Sequence, residues 1–574
     1  MKDSIDNKRN LADLAPWLCF AICLVVFVLR AAPGVTFEDS GELAAAATCL
    51  GVPHPPGYPL QMLLGHGFIR SMSALIEDPA RALNLFSALC AAGAAALLAL
   101  FARRTGAGFG AALATGLLLA LAPTFAAQAV ITEVYALAAL LQVALLLVCL
   151  RPGDPKPGTA LFFFGLALCA HANSLAFAPL PLLVLARALR SGTQPRERTL
   201  LQSMFGISAG LAFYLYVPLA AASDAPINWG AATGGERLLD HLLRTQYATG
   251  LDRAFENQLS LLAEQFAGQW PLVFAALILS TFFVRRNLER RQLTPVFCTI
   301  VFAAGTLFYA INWPLADELS RARVAGSYIP LVIIVCAFGS AILVGLERTF
   351  SHTSAAKVFS IALPLVVVLL ALPFGPRTFA NDLDQSEAKW AELYGRETLA
   401  ACPPNSVLVI SKLGYGDDLA FPLLYLQVAR HVREDVLVLP REFLSHPWYR
   451  EQLSEREPWL TPALRSLSEK YAASAGLPGD PRSQRIVNAS FFPDLFKLAD
   501  AVNRPTVFVS KPSPRLLGQR RTQTISMLWS VVATEPTAPL DPHASEPYAW
   551  LPAVTNDPIL LMLKELKRAL AAPK

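Results

Sequence analysis

The chain has 574 residues, of which 54% are hydrophobic and 16% charged, with a formal net charge of +5. An ordinary soluble domain carries about 25% charged residues, so this balance excludes a wholly soluble protein. The small net charge, with basic residues in short clusters between apolar runs, points to membrane topology and away from nucleic acid.

Apolar runs near the ~20 residues that cross a bilayer fall at 15–32, 82–102, 108–123, 130–149, 159–175, 176–189, 200–220, 269–284, 294–313, 326–346 and 357–375. They predict a polytopic helical membrane protein with about eleven transmembrane helices. The first run lacks a small-residue cleavage site and reads as a membrane helix, not a removed signal. After about Arg377 the composition turns ordinary. The expected division is a membrane domain over 1–376 and a soluble α/β domain over 377–574.

Basic residues mark alternate loops, among them Lys8 and Arg9, Arg103 and Arg104, Arg151 and Lys156, Arg285 and Arg286, and Arg348. Short basic loops stay cytoplasmic. The N-terminus is then inside, and 33–81, 124–129, 221–268, 314–325 and the C-terminal domain are outside, periplasmic if the membrane is a bacterial inner membrane.

Nine cysteines are present, mostly within apolar runs, where they act as small hydrophobes. Cys402 alone lies in the C-terminal domain, which leaves that domain no internal disulfide. No Cys-x-x-Cys pair or His/Cys cluster suggests zinc, and no metal ligand is assigned.

The first outer loop carries the densest chemistry. Glu38, Asp39 and Glu42 crowd three carboxylates beyond the first span. Asp39 and Glu42 also fit a capping box for a short helix that Gly51 ends. That pattern leaves Glu38 unexplained, and His54, set among Pro53, Pro55, Pro56 and Pro59. A second helix is expected over about 59–76, with His66 and Arg70 one turn apart, and Asp78-Pro79 has the form of a helix start. Farther along, Glu133 stands at the outer start of one span, and His171 and Asn173 near the end of another. Glu38, Asp39, Glu42, His54, Glu133, His171, Asp224, His241, Arg244 and Arg321 are remote in sequence, yet the charge-derived topology sets them all at or near one membrane face.

In the C-terminal part, 406–411 and 436–439 are apolar runs of strand length separated by a helical stretch near 418–431, a βαβ-like unit. Another strand follows at 506–510 and an amphipathic helix at 557–571. No nucleotide fingerprint or catalytic triad is present there.

Asp39-Ser40-Gly41-Glu42, followed by Leu50-Gly51-Val52-Pro53-His54-Pro55-Pro56-Gly57-Tyr58-Pro59-Leu60, resembles the DUF2723 family of membrane proteins, which includes protein O-mannosyltransferases. Thr132-Glu133-Val134-Tyr135, His171-Ala172-Asn173, Asn228-Trp229-Gly230 and the His241–Gly250 stretch resemble later family segments in the same order. The Asn405, Arg433 and Trp448-Tyr449 runs do so in the C-terminal part. Ala172 and the long 412–417 turn depart from the pattern and put the acceptor in doubt.

The resemblance implies a GT-C glycosyltransferase with a polyprenyl-phosphate sugar, plausibly of mannose, as lipid-linked donor, and a protein or glycan hydroxyl as acceptor. It implies Asp39 as catalytic base, since a carboxylate can take a hydroxyl proton, with Glu42 and Glu38 beside it. The sequence alone does not separate Asp39 from Glu42. His54 would orient acceptor or phosphate. Tyr58, Glu133, Tyr135, His171, Asn173, Trp229 and His241 would line the substrates, and Arg244 or Arg321 would clamp the phosphate. No firm cofactor is implied, although such carboxylates are of a kind that holds a divalent cation. Two alternatives are a lipid-linked sugar transporter or flippase and a non-catalytic scaffold. A transporter should place polar groups at mid-span and show internal repeats, and neither is seen.

Overall fold

The computed structural model describes residues 12–151, 153–245, 326–350, 358, 362–365, 384–411, 416–473, 481–517, 520–525, 528–532, 548–549, 551 and 558–571. Three of the described helices are long and apolar enough to cross a membrane: Pro79–Arg104, Ala172–Ser191 and Arg196–Ala221. Shorter apolar helices accompany them at Ala15–Arg30, Phe109–Ala120, Tyr135–Cys149, Pro157–Ala170 and Gly326–Ala337. The chain is an integral, multi-pass membrane protein. The spans expected at 269–284 and 294–313, and most of 357–375, lie outside the described residues.

Small residues hold these helices together. Alanine is the commonest residue in the interior of the bundle, beside leucine, phenylalanine and cysteine, while Trp17, Val25, Leu29, Met204 and Phe205 are exposed on its outside. That inverts the soluble pattern and suits lipid, where close backbone approach replaces hydrophobic exclusion. Helices Pro157–Ala170 and Arg196–Leu211 show it most clearly: a Cβ on Gly206 would lie 2.1 Å from the Gly158 carbonyl oxygen.

Several helix ends differ from expectation. The 130–149 span is helical only from Tyr135, which leaves Glu133 in a turn. The break between the sixth and fifth expected spans falls at His171, not near 175. There the His171 ring accepts from the Asn173 N–H and caps a following 3₁₀ turn, Ala172–Phe177. The second loop helix stops at Met72, short of 76. Asp78 caps Pro79–Arg104 as its sequence suggests, accepting from the Arg81 N–H at 2.8 Å.

The C-terminal part contains a mixed five-stranded sheet in the order β2-β1-β3-β5-β4. Its strands are β1 Val407–Ile410, β2 Leu437–Pro440, β3 Thr506–Phe508, β4 Arg521–Ile525 and β5 Leu528–Val532. β1 lies parallel to both β2 and β3, and all its residues are buried, as suits a strand covered on both faces. The β1–helix–β2 unit confirms the βαβ pattern in the sequence. The antiparallel β4–β5 pair was not anticipated, because 521–525 is too polar to read as a strand.

This sheet region sits directly against the loop that follows the first membrane helix. Helix Ser40–Cys49 and helix Gly416–Arg430 meet backbone to backbone: a Cβ on Gly41 would lie 2.5 Å from the Phe421 carbonyl carbon. Beside them, Asp78 accepts from the Tyr425 hydroxyl at 2.9 Å and from Arg430 Nη1 at 3.0 Å. A Gly41→Val substitution is therefore expected to force the two helices apart and cost on the order of 1–3 kcal/mol. Thermal unfolding in detergent checks this; an unchanged midpoint would show that the helices do not meet here.

Candidate active site on the first outer loop

Asp39 stands at the N-terminus of helix Ser40–Cys49, but its side chain makes no capping hydrogen bond. The expected capping box does not form, because Glu42 turns inward. The helix closes at Leu50, in the left-handed region, and not at Gly51. Glu42 is 1% exposed. One of its oxygens accepts from the His54 backbone N–H at 2.9 Å, and the other meets His54 Nδ1 at 2.5 Å. The opposite ring nitrogen, Nε2, lies 2.9 Å from the Tyr58 hydroxyl and 3.7 Å from Asp39 Oδ2. The prolines around His54, with a cis Pro55–Pro56 bond, carry the chain back over the helix so that this contact closes.

Exposure divides the two carboxylates. The Asp39 side chain is 45% exposed and the Glu42 side chain 2%. Burial raises the Glu42 pKa, offset in part by His54. Burial lowers that of His54, but the Asp39 and Glu42 carboxylates outweigh it and push the ring up to about 9. At neutral pH the His54 ring is therefore imidazolium, and its contact with Glu42 is the pairing by which a buried charge is tolerated.

Other residues gather round this pair. Tyr58 stacks on His171 with ring centres 5.7 Å apart, and Tyr135 lies 4.8 Å from His171. Glu133 is buried in the turn before helix Tyr135–Cys149. Its pKa is raised, first by burial and then by the charges of Asp39 and Glu38. Trp229 stands edge-on to His54 with centres 6.2 Å apart. Its strand-like segment is held by Val52, whose backbone bonds Ile227 and Trp229 at 2.8 and 2.9 Å.

His241 is wedged between two turns that only glycine permits. Gly57 and Gly230 have φ of +88° and +80°, and a Cβ on either would come within 3.1 Å of a His241 ring nitrogen. Burial, then the charge of His54, lowers the His241 pKa to about 3. Both its ring nitrogens lack a hydrogen-bond partner in the structure. Arg244, at φ +58°, ends the same helix, Gly235–Leu243, and its charge acts on His54. Glu38 and Tyr58 also take positive φ, 59° and 41°. Non-glycine residues rarely do so, and such backbone strain clusters at functional sites.

Two expected residues stand apart. Asn173 faces down into the bundle, where its Oδ1 accepts from Gln142 Nε2 at 2.9 Å. Asp224 is exposed in a loop outside the cluster. Arg321 lies outside the described residues, as does Arg323. Sequence reading missed Gln142, which also donates to Ser174, and Phe443, which packs 4.8 Å from Trp229.

Donor atoms of Asp39, Glu42 and His54 all lie within 4.8 Å of one another, a spacing that suits a cation. Yet Glu42 and His54 Nδ1 are engaged with each other, and Nε2 with Tyr58. The donors close a hydrogen-bonded network, and a cation would have to break it.

The fold and this cluster define a polytopic membrane protein with an acid–imidazole centre where the loop after its first membrane helix meets a C-terminal α/β region. The family model of the protein O-mannosyl-transferase TMEM260 N-terminal domain matches residues 39–194, and that of the TMEM260-associated domain 2 matches 391–466. The resemblance seen in the sequence is therefore one to TMEM260 proteins. Protein O-mannosyl-transferase TMEM260 of Mus musculus is 26% identical over 79% of this chain and 67% of its own length. The Dictyostelium discoideum protein of the same name is 22% identical over 77% of this chain and 59% of its own length. Among solved structures, ArnT from Cupriavidus metallidurans is similar in its undecaprenyl-phosphate-bound state, with TM-score 0.44, 14% identity and coverage of 74% of this chain and 90% of that one. Its apo state gives TM-score 0.45, 14% identity and coverage of 76% and 94%.

The geometry separates the two acids in a mutant pair. Glu42→Ala strands the buried His54 and is expected to cost about 3–5 kcal/mol, whereas Asp39→Asn, half in solvent, should change stability by less than about 1 kcal/mol. Unfolding midpoints of the purified variants test this, and equal losses would contradict the inward role of Glu42.

Proposed function

We propose that this chain is a membrane glycosyltransferase of the GT-C type. It moves a sugar, mannose by analogy with its named relatives, from a polyprenyl-phosphate donor to a hydroxyl of a protein acceptor at the extracytoplasmic face. The N-terminus is cytoplasmic, and the C-terminal domain, 377–574, lies outside. The observation that carries this reading is the division between Asp39 and Glu42: one carboxylate reaches solvent, while the other is sealed behind the imidazole.

In this mechanism Asp39 is the base. It takes the proton of the acceptor hydroxyl as that oxygen attacks the anomeric carbon. The bond from that carbon to the phosphate oxygen breaks, and the electron pair leaves with the phosphate. Attack opposite the leaving group inverts the anomeric centre. The leaving polyprenyl phosphate gains charge, which a guanidinium stabilises, and that role is assigned to Arg244. His54 holds Asp39 in position from one side, and Glu42 fixes the His54 ring from the other. Glu133, buried before the start of its helix, contacts the sugar through its carboxyl group. His241, neutral with its ring unsatisfied, is a second contact for the donor. The grouping of these residues at the helix ends disfavours transport, which needs such groups at mid-span.

Transfer is tested with purified protein in nanodiscs and a panel of radiolabelled polyprenyl-phosphate sugars. Wild type should move label to an acceptor, or slowly to water. Asp39→Asn should lose about 100-fold or more of that rate while keeping its unfolding midpoint. Equal turnover by Asp39→Asn would remove Asp39 as base. A well-folded wild type that neither binds nor turns over any donor would remove the transferase reading.

A further inference from the structure

A cavity of about 260 Å³ opens beside the Glu42–His54 pair, between the 226–229 segment and the C-terminal sheet region. Glu42 forms part of one wall; helix Gly416–Arg430, β2 and helix Pro447–Arg456 form the rest. Most of the lining is apolar, with Leu424, Val428, Leu437 and Leu453 among its side chains. Aromatic rings run from the pair into the cavity without a gap. Trp229 lies 6.2 Å from His54, and Phe443 and Trp448 lie 4.8 and 5.5 Å from Trp229.

Two buried polar atoms of the lining residues have no hydrogen-bond partner among the described residues: the indole N–H of Trp448 and the side-chain oxygen of Asn228. The rest of Asn228 is engaged, its Nδ2 donating to the Ala221 carbonyl and its own carbonyl accepting from Gln452. One unmet donor and one unmet acceptor are the complement of a peptide group, which supplies a carbonyl and an N–H. A sugar ring would instead call for several available polar partners around its rim, whereas Gln427, Gln452, Arg456, Glu457 and Arg504 of the lining are hydrogen-bonded to other protein groups.

Resting on the glycosyltransferase reading above, we propose that this cavity is the acceptor subsite. It takes an apolar or aromatic side chain of an extended polypeptide next to the modified Ser or Thr, with Trp448 and Asn228 bonding the acceptor backbone. The C-terminal region would thereby select the acceptor, and the first outer loop would carry out the chemistry. The backbone contact at Gly41 keeps the two in register.

The test uses the full-length protein in nanodiscs, polyprenyl-phosphate mannose, and short peptides with a single Thr whose neighbour is Ala, Leu, Phe or Lys. Wild type should show a KM about tenfold lower for the Phe or Leu peptide than for the Ala peptide, the scale on which an apolar pocket discriminates. Leu424→Trp, which fills the cavity, should erase that preference by raising KM for the Phe peptide alone. Trp448→Phe, which keeps a ring and removes the N–H, should raise KM for all peptides by a similar factor with kcat little changed. Equal KM for all four peptides in wild type would overturn the proposal, as would donor hydrolysis without transfer to any peptide. So would a preference that survives Leu424→Trp. A well-folded wild type that neither binds the donor nor turns it over, to peptide or to water, would instead overturn the glycosyltransferase reading itself.

Discussion

The site of this protein depends on one buried contact, between the Glu42 carboxylate and the His54 imidazole. A carboxylate with 1% exposure is tolerated only when paired and hydrogen-bonded. Glu42 meets that condition twice, through the His54 ring and the His54 backbone N–H. The contact ties helix Ser40–Cys49 to the proline-rich return and so sets where Asp39, Tyr58 and Gly57 stand. His241 then fits against Gly57, Trp229 against His54, and the Phe443–Trp448 cluster against Trp229. Each layer is placed by the one beneath it.

Two kinds of packing meet at this contact. Below it, helices approach through alanine and glycine, as lipid surroundings favour. Above it, a sheet with a leucine- and phenylalanine-rich core packs as a soluble domain does. Glu42, Asp78 and Gly41 lie at the junction. Asp78 serves both sides at once, capping a membrane helix and accepting from Tyr425 and Arg430.

Much of this was legible in the sequence. Apolar run length gave the helices, and charge alternation put Asp39, His54, Glu133, His171 and His241 on one face, where the structure brings them together. The βαβ unit showed in its alternating runs. What was not legible depended on side-chain direction. Asp39-x-x-Glu42 has the spacing of a capping box, and only the fold of Pro53–Tyr58 over the helix turns Glu42 toward His54. Asn173 was grouped with His171 by adjacency, yet the 3₁₀ turn after His171 points it down to Gln142. The aromatic cavity joins Trp229 to Phe443 and Trp448 across more than two hundred residues, and no local pattern signals that.

The central claim is that Glu42 holds His54 as a buried cation beside Asp39. Nitrogen-15 NMR of the labelled His54 ring across a pH series measures this most directly. The folded pKa lies above the ordinary value of ~6.5, so the stabilisation from the pair is full below that value and is lost as pH rises through about 9. The account predicts a doubly protonated ring at pH 7.5, titrating near 9 in wild type and falling back in Glu42→Gln. A ring that titrates near 6.5 in both proteins would contradict it.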